Sequence, residues 1–301
     1  MRTRRHIVQK QHNKNKEVMY YRFQIGEREL RNFVREAENL AVEKQANRFY
    51  NEAKFIVQKN RVKDILKDFT IGNDNLIDGQ KIQDNCFTTR MPNEFHMFVS
   101  HSHDDVNLIE EFAVVMKRAF DVNCFVDSLV WSGKDEEGGL LQKLNKFNII
   151  EESNSVTRYY HEPVIRTTDH VHAMLSMALM EMIDQCEMGL FVHSDNSVIP
   201  EIKTNDFKEV TLSSWIYEEI CIMNHIRPNP PQRGVFEQRE FNENGIHRGV
   251  RQELKIAHPL DLANFVELSS NHMPMAGIGT KWLDNLYCNV LYNKGNHQRM
   301  L

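Results

Sequence analysis

Trp215 and Glu219 are the pair of residues whose types and spacing can most directly do chemistry. At i and i+4 they share one helical face, one turn from the helix start, and Ser213 or Ser214 supplies an N-cap. An aromatic wall beside a carboxylate suits a flat cationic ring attached to a sugar. Glu218 points about 100° away and is expected to face solvent. The same spacing also describes an ordinary amphipathic helix, with Trp215 in the core and Glu219 in a surface ion pair. From spacing alone that is the simpler reading.

A second constellation is Ser100-His101-Ser102, followed by His103 and the acidic pair Asp104-Asp105. An apolar run over residues 95–99 breaks into these polar residues and an amphipathic stretch begins behind them. That pattern predicts a buried strand whose carboxyl end turns directly into a helix N-terminus, the place where open α/β sheets bind ligands. The histidines invite a metal reading that their spacing opposes. His170 and His172, two apart on a helix, face different directions, and His101 and His103 have no identifiable carboxylate partner. No metal site is expected.

The elements that must position these residues follow from apolar periodicity. Residues 27–69 contain no glycine or proline and repeat apolar positions at helical spacing, as one long helix or as two in a hairpin. A turn-rich boundary follows, and a new domain starts just before Phe95. From there strands are expected at 95–99, 124–127 and 189–193, alternating with helices at 105–120, 169–186 and 214–226. Residues 128–168 read as irregular, with Tyr159, Tyr160 and His161 forming a packed loop or a cover for the pocket. Beyond Pro231 the signals weaken to a strand at 254–257 and a closing helix at 279–292. Alternating strands and helices predict an α/β fold, a parallel sheet with helices on both faces.

Composition excludes several classes. The 301 residues are 41% hydrophobic and 26% charged, close to an ordinary globular protein, and the net charge of -5 gives no general case for nucleic-acid binding. Arg2, Arg4, Arg5, Lys10, Lys14 and Lys16 crowd the start and read as a solvated tail rather than an RNA-binding arm. No stretch approaches the roughly 20 apolar residues of a membrane helix, and no apolar run behind the basic residues makes a secretory signal. The 5 cysteines are scattered and share no CxxC spacing, which predicts reduced thiols and a cytoplasmic setting. Cys124, Cys186 and Cys221 fall inside apolar patterns and are expected to be buried.

The order of these elements resembles a Toll/interleukin-1 receptor (TIR) domain of the bacterial, NAD-cleaving type found in Thoeris-like antiphage defence. Phe98-Val-Ser-His-Ser-His-Asp-Asp105 is similar to that family's first strand and the loop leaving it. Cys124-Phe-Val-Asp127 resembles its second strand, and the 169–186 helix with Leu190-Phe-Val-His-Ser194 its second helix and third strand. Trp215 with Glu219 matches its Trp-x-x-x-Glu, whose glutamate is catalytic. The Asp127-Ser-x-x-Trp131 that follows the second strand is similar to a bacterial subgroup. The resemblance covers about 95–226 and departs from the family in the long insertion at about 128–168.

The resemblance implies a flavodoxin-like sheet within 91–301, the TIR domain with its long insertion and a C-terminal extension. The preceding 1–90 reads, from its own charge and helical spacing, as a basic arm and a stabilising or oligomerising helical region. The resemblance also implies an NAD+ nucleosidase or cyclase that breaks the nicotinamide–ribose bond with Glu219 as the catalytic group. Ser100, His101, Ser102, Asp127, Trp131 and Trp215 would bind substrate. NAD+ is consumed rather than held as a cofactor. The implied partners are further copies of the chain, through TIR surfaces and the N-terminal helices, together with a phage-derived trigger or a downstream effector. Two alternatives are a non-catalytic TIR scaffold, which has no need of Glu219, and a nucleoside deoxyribosyltransferase-like enzyme with a related sheet and a glutamate nucleophile.

Overall fold

The computed structural model describes residues 21–43, 70–71, 76–79, 81–82, 95–126, 140–145, 148–152, 157–199, 209–227 and 257–292. The main sheet is built from β1 (Tyr21–Gly26), β2 (Met97–Ser100), β3 (Cys124–Phe125), β4 (Met188–His193) and β5 (Val266–Leu268). Its order in space is β5-β1-β4-β2-β3, and every neighbouring pair is parallel. Around it lie α1 (Glu27–Glu43), α2 (Val106–Phe120), α3 (His161–Gln185), α4 (Ser214–His225) and α5 (Thr280–Tyr287). The fold is therefore α/β, with a five-stranded parallel sheet flanked by helices.

Strand periodicity sorts the core into two layers, because alternate side chains leave opposite faces. Phe23, Ile25, Met97, Val99, Leu190 and Val192 project to one face, where α1, α2 and α5 cover them with Leu30, Phe33, Phe112, Met116 and Trp282. Phe98, Phe125 and Phe191 project to the other, against Leu175, Leu179 and Ile183 of α3 and Ile216, Ile220 and Met223 of α4. Full burial of such side chains contributes about 1.5–3 kcal/mol each. Both faces are thus apolar, as a parallel sheet requires.

The expected boundary near residue 90 does not isolate the N-terminal region from the sheet. Tyr21–Gly26 is a strand between β4 and β5, in register with β4 from Tyr21↔Met188 to Gly26↔His193, and α1 packs on its face. In a flavodoxin-like order of 2-1-3-4-5, β2, β3 and β4 take the first three places. The N-terminal strand fills the fourth, which the sequence left without a candidate. The long helical stretch is a helix over Glu27–Glu43, and residues 44–69 lie outside the description.

Further expectations are corrected. The helix placed at 169–186 begins at His161, eight residues earlier. Pro163 sits in its first turn, where backbone N–H groups have no intrahelical acceptor and proline is tolerated. Part of the 128–168 region read as irregular is regular: Leu140–Asn145 is helical and Ile149–Glu152 pairs antiparallel with Thr157–Tyr159. Tyr159 and Tyr160 are exposed rather than packed. Residues 254–256 of the expected late strand lie outside the description, and the sheet is closed by Val266–Leu268 instead. The closing helix starts at Thr280 behind Gly279 and continues as a π turn, Cys288–Tyr292. Cys124 and Cys186 are buried, whereas Cys221 is only partly so. Among the described residues no helix is long and apolar enough to cross a membrane.

Candidate functional site

The two central strands β4 and β2 are neighbours whose chains leave in opposite directions: β2 leads into α2 on one face, and the helix after β4, α4, lies on the other. Such a divergence opens a crevice at the carboxyl ends of the strands. Ser100 is the last residue of β2 and shares the alternation of Phe98, so its side chain projects toward α4. There its hydroxyl donates to Glu219 Oε2 at 2.6 Å.

Local sequence explains why Glu219 is available to it. Ser213 Oγ accepts from the Ile216 N–H at 3.2 Å and caps α4, which settles the choice between the two serines. From that start, Ile216, Glu219, Ile220 and Met223 form the buried face of the helix. A carboxylate on that apolar stripe, only 3% exposed, needs a donor to offset its lost hydration. The Ser100 hydroxyl supplies one, at a length typical of O–H donating to a charged oxygen. Glu219 is therefore buried in the helix–sheet interface rather than exposed on the surface.

Trp215, one turn nearer the helix start, is half-buried against the α3 side of the core. Its ring centroid lies 5.2 Å from that of His172, tilted by 47°. His172 Nε2 in turn stands 3.9 Å from Glu218 Oε2, so Glu218 faces α3 instead of open solvent. The 25 residues of α3 extend about 37 Å at the usual rise, and the 6 of β4 only about 20 Å. Because α3 runs back to the start of β4, its first turns overhang the carboxyl edge of the sheet, and His172 stands at the rim.

The remaining candidates divide. His101 is buried beside Ser100, with Nδ1 3.3 Å from the Val99 carbonyl oxygen. Its ring lies nearly parallel to that of His103, 6.5 Å away. Ser102 serves as a cap, accepting from the Asp104 N–H at 3.4 Å to start the single turn His103–Asp105. Asp127 and Trp131 lie outside the described residues. His170 is exposed.

One residue that sequence reasoning passed over is Asp105. It is buried and accepts from Ser194 Oγ at 2.5 Å and from Asn196 Nδ2 at 2.7 Å. Ser194 Oγ also accepts from the Ser197 N–H at 3.1 Å. The carboxylate thereby ties the loop after β2 to the turn after β4, both at the carboxyl end of the sheet. Its signal was the acidic pair at the head of α2, legible as a helix start but not as a cross-link.

Chemically, the arrangement offers one buried carboxylate bonded to a serine hydroxyl at the carboxyl end of a parallel sheet, with a half-buried tryptophan one turn nearer the helix start. Among the described residues no cluster of three His, Cys, Asp or Glu gathers to hold a metal. Searches of protein-family models, curated proteins and solved structures returned no match to this chain.

Proposed function

We propose that this chain is a TIR-type enzyme that cleaves the nicotinamide–ribose bond of NAD+, with Glu219 as the catalytic carboxylate and Trp215 holding a flat ring of the substrate. The observation that carries the reading is the 2.6 Å bond from Ser100 to Glu219: it joins the two motifs behind the TIR resemblance at the carboxyl end of a parallel sheet. The strand order, with its fourth place filled by Tyr21–Gly26, supports a flavodoxin-like sheet of the TIR kind.

The chemistry needs one carboxylate. When the bond between C1′ and the pyridinium nitrogen breaks, the electron pair returns to the ring and nicotinamide leaves neutral, without a proton from a general acid. An ordinary glycosidic oxygen would need that second carboxyl group. Positive charge builds on C1′ and the ring oxygen of the ribose, and the Glu219 carboxylate stabilises it electrostatically. Water then attacks C1′ and loses a proton to give ADP-ribose. Alternatively, a nucleophilic atom of the same molecule or of an acceptor closes the bond to give a cyclic or transferred ADP-ribose. The reading takes the setting to be cytoplasmic antiphage signalling, with assembly of several copies and a phage-derived trigger or downstream effector.

The test is to incubate the purified chain with NAD+ and follow nicotinamide and the ADP-ribosyl product by chromatography, beside Glu219→Gln. Loss of the charge should slow release by about 100- to 1,000-fold, the scale seen when one preorganised electrostatic group is removed. Turnover that survives in Glu219→Gln refutes the assignment. No turnover by the assembled wild-type chain favours the scaffold reading. NMR of the product distinguishes cyclic linkages that share a mass.

A further inference from the structure

Ser100 is fully buried at the end of β2, the strand that β4 and β3 hold on either side. Its Cα is registered against Phe191, and a serine hydroxyl is placed by a single side-chain torsion. Glu219, by contrast, reaches its carboxylate through three torsions from the face of a helix. The 2.6 Å bond therefore couples a group with three side-chain torsions to one with a single torsion.

We infer that Ser100 is a positioning residue for Glu219: its hydroxyl orients the carboxylate and favours its charged form, and it does not contact substrate. This replaces the substrate-binding role that sequence alone suggested, and it rests on the proposed function only in calling Glu219 catalytic. Donation to a carboxylate stabilises the ionised form, so removing the donor raises the pH at which the carboxyl titrates. Other titratable groups on the neighbouring elements bear on the measurement. Among the described residues they include His101 and the buried Asp105 after β2, His193 at the end of β4, 3.4 Å from Glu209, and His172 on α3, 3.9 Å from Glu218. Arg22 of β1 lies at the far end of α4, bonded to the Met223 and Ile226 carbonyls.

Two readouts on Ser100→Ala and Ser100→Thr decide the matter. The first is the pH profile of kcat and KM for nicotinamide release. Ser100→Ala should lower kcat by about ten- to a hundredfold, the worth of one hydrogen bond to a charged group. It should move the acid limb to higher pH and leave KM nearly unchanged, and threonine should restore part of both. A rise in KM at constant kcat means that substrate, not Glu219, uses the hydroxyl, and overturns the inference. So does an ADP-ribosyl group found covalently on Ser100 by peptide mass mapping.

The second readout needs no turnover: the carbon-13 carboxyl signal of Glu219, titrated in the wild type and in the variant. An upward shift in Ser100→Ala supports the positioning role even if NAD+ is not the substrate, and coincident titrations overturn it even if NAD+ is. Should the alanine variant fail to fold, Ser100→Cys, close in size and a weaker donor, carries the same comparison.

Discussion

Replacing Arg22 by methionine should cost about 2–4 kcal/mol of stability and loosen the helix that carries Glu219. Arg22 is buried on the α4 side of β1, where its Nε donates to the Met223 carbonyl and its Nη2 to the Ile226 carbonyl. The last carbonyls of a helix have no intrahelical donor, so the guanidinium fork acts as the C-terminal cap of α4. Two hydrogen bonds from a charged donor are worth about 3–6 kcal/mol, and a cation at a helix C-terminus adds about 0.3–1. Against this stands the burial of the guanidinium, which draws its pKa below the ordinary arginine value and gives back part of the gain. Methionine recovers some packing at about 0.8 kcal/mol per methylene, which brings the difference to the stated range. Urea unfolding would measure the total, and hydrogen exchange along 214–226 would show whether the loss is local to α4. Lysine keeps the charge but cannot span both carbonyls, so Arg22→Lys should fall between the two. A loss below about 0.5 kcal/mol in Arg22→Met, with α4 protection unchanged, would refute the capping role. Equality of lysine and arginine would show that charge alone suffices.

A chain beginning at residue 27, or at 95, should fail to fold. β1 lies between two other strands and carries the fully buried Phe23 and Ile25. Losing two such side chains costs roughly 5–9 kcal/mol before the ladder is counted, comparable to the whole stability of many domains. A dispersed NMR spectrum or a cooperative melt from either truncation would contradict the sheet order. Glu29 makes a pH-dependent prediction: the Ser270 N–H donates at 2.9 Å and its hydroxyl at 3.0 Å, and these two bonds hold the Glu29 pKa below its ordinary 4.5. With the folded value depressed, the contribution is present above pH 4.5 and is lost as pH falls through the folded pKa. Glu29→Gln should therefore flatten the decline of stability below that pH in chemical denaturation. An unchanged acid limb would count against the linkage.

Much of the framework was readable because its signals are local. The apolar run before Ser100, the helix period of α2 and the serine cap of α4 each sit within a few residues of what they determine. β1 was missed although Tyr21, Phe23 and Ile25 alternate with polar residues as a strand should. An alternating strand implies one solvated face, and Arg22 reads as part of it until α4 is seen to end over that arginine. The start of α3 at His161 is harder to read, because a proline such as Pro163 is compatible with a helix only in its first turn.

The pairings of the site were invisible for a different reason: they belong to topology. Ser100 and Glu219 are 119 positions apart, and Asp105 and Ser194 are 89 apart. Nothing in either member's neighbourhood names the other. Once the order β1-β4-β2-β3 and the period of two are known, however, Ser100 has to leave the sheet on the side of Phe98 and Phe125, which α4 covers. Its partner must then be a polar residue on the buried stripe of that helix. Among Ile216, Glu219, Ile220 and Met223 only one qualifies. Two neighbours in the loop after β2 also take parts that topology decides: Ser102 accepts from the Asp104 N–H as a cap, and Asp105, which looked like a helix start, joins that loop to the turn after β4. A polar residue at a strand end thus acquires its function from the helix that crosses the sheet there, and the sequence alone cannot say which helix that is.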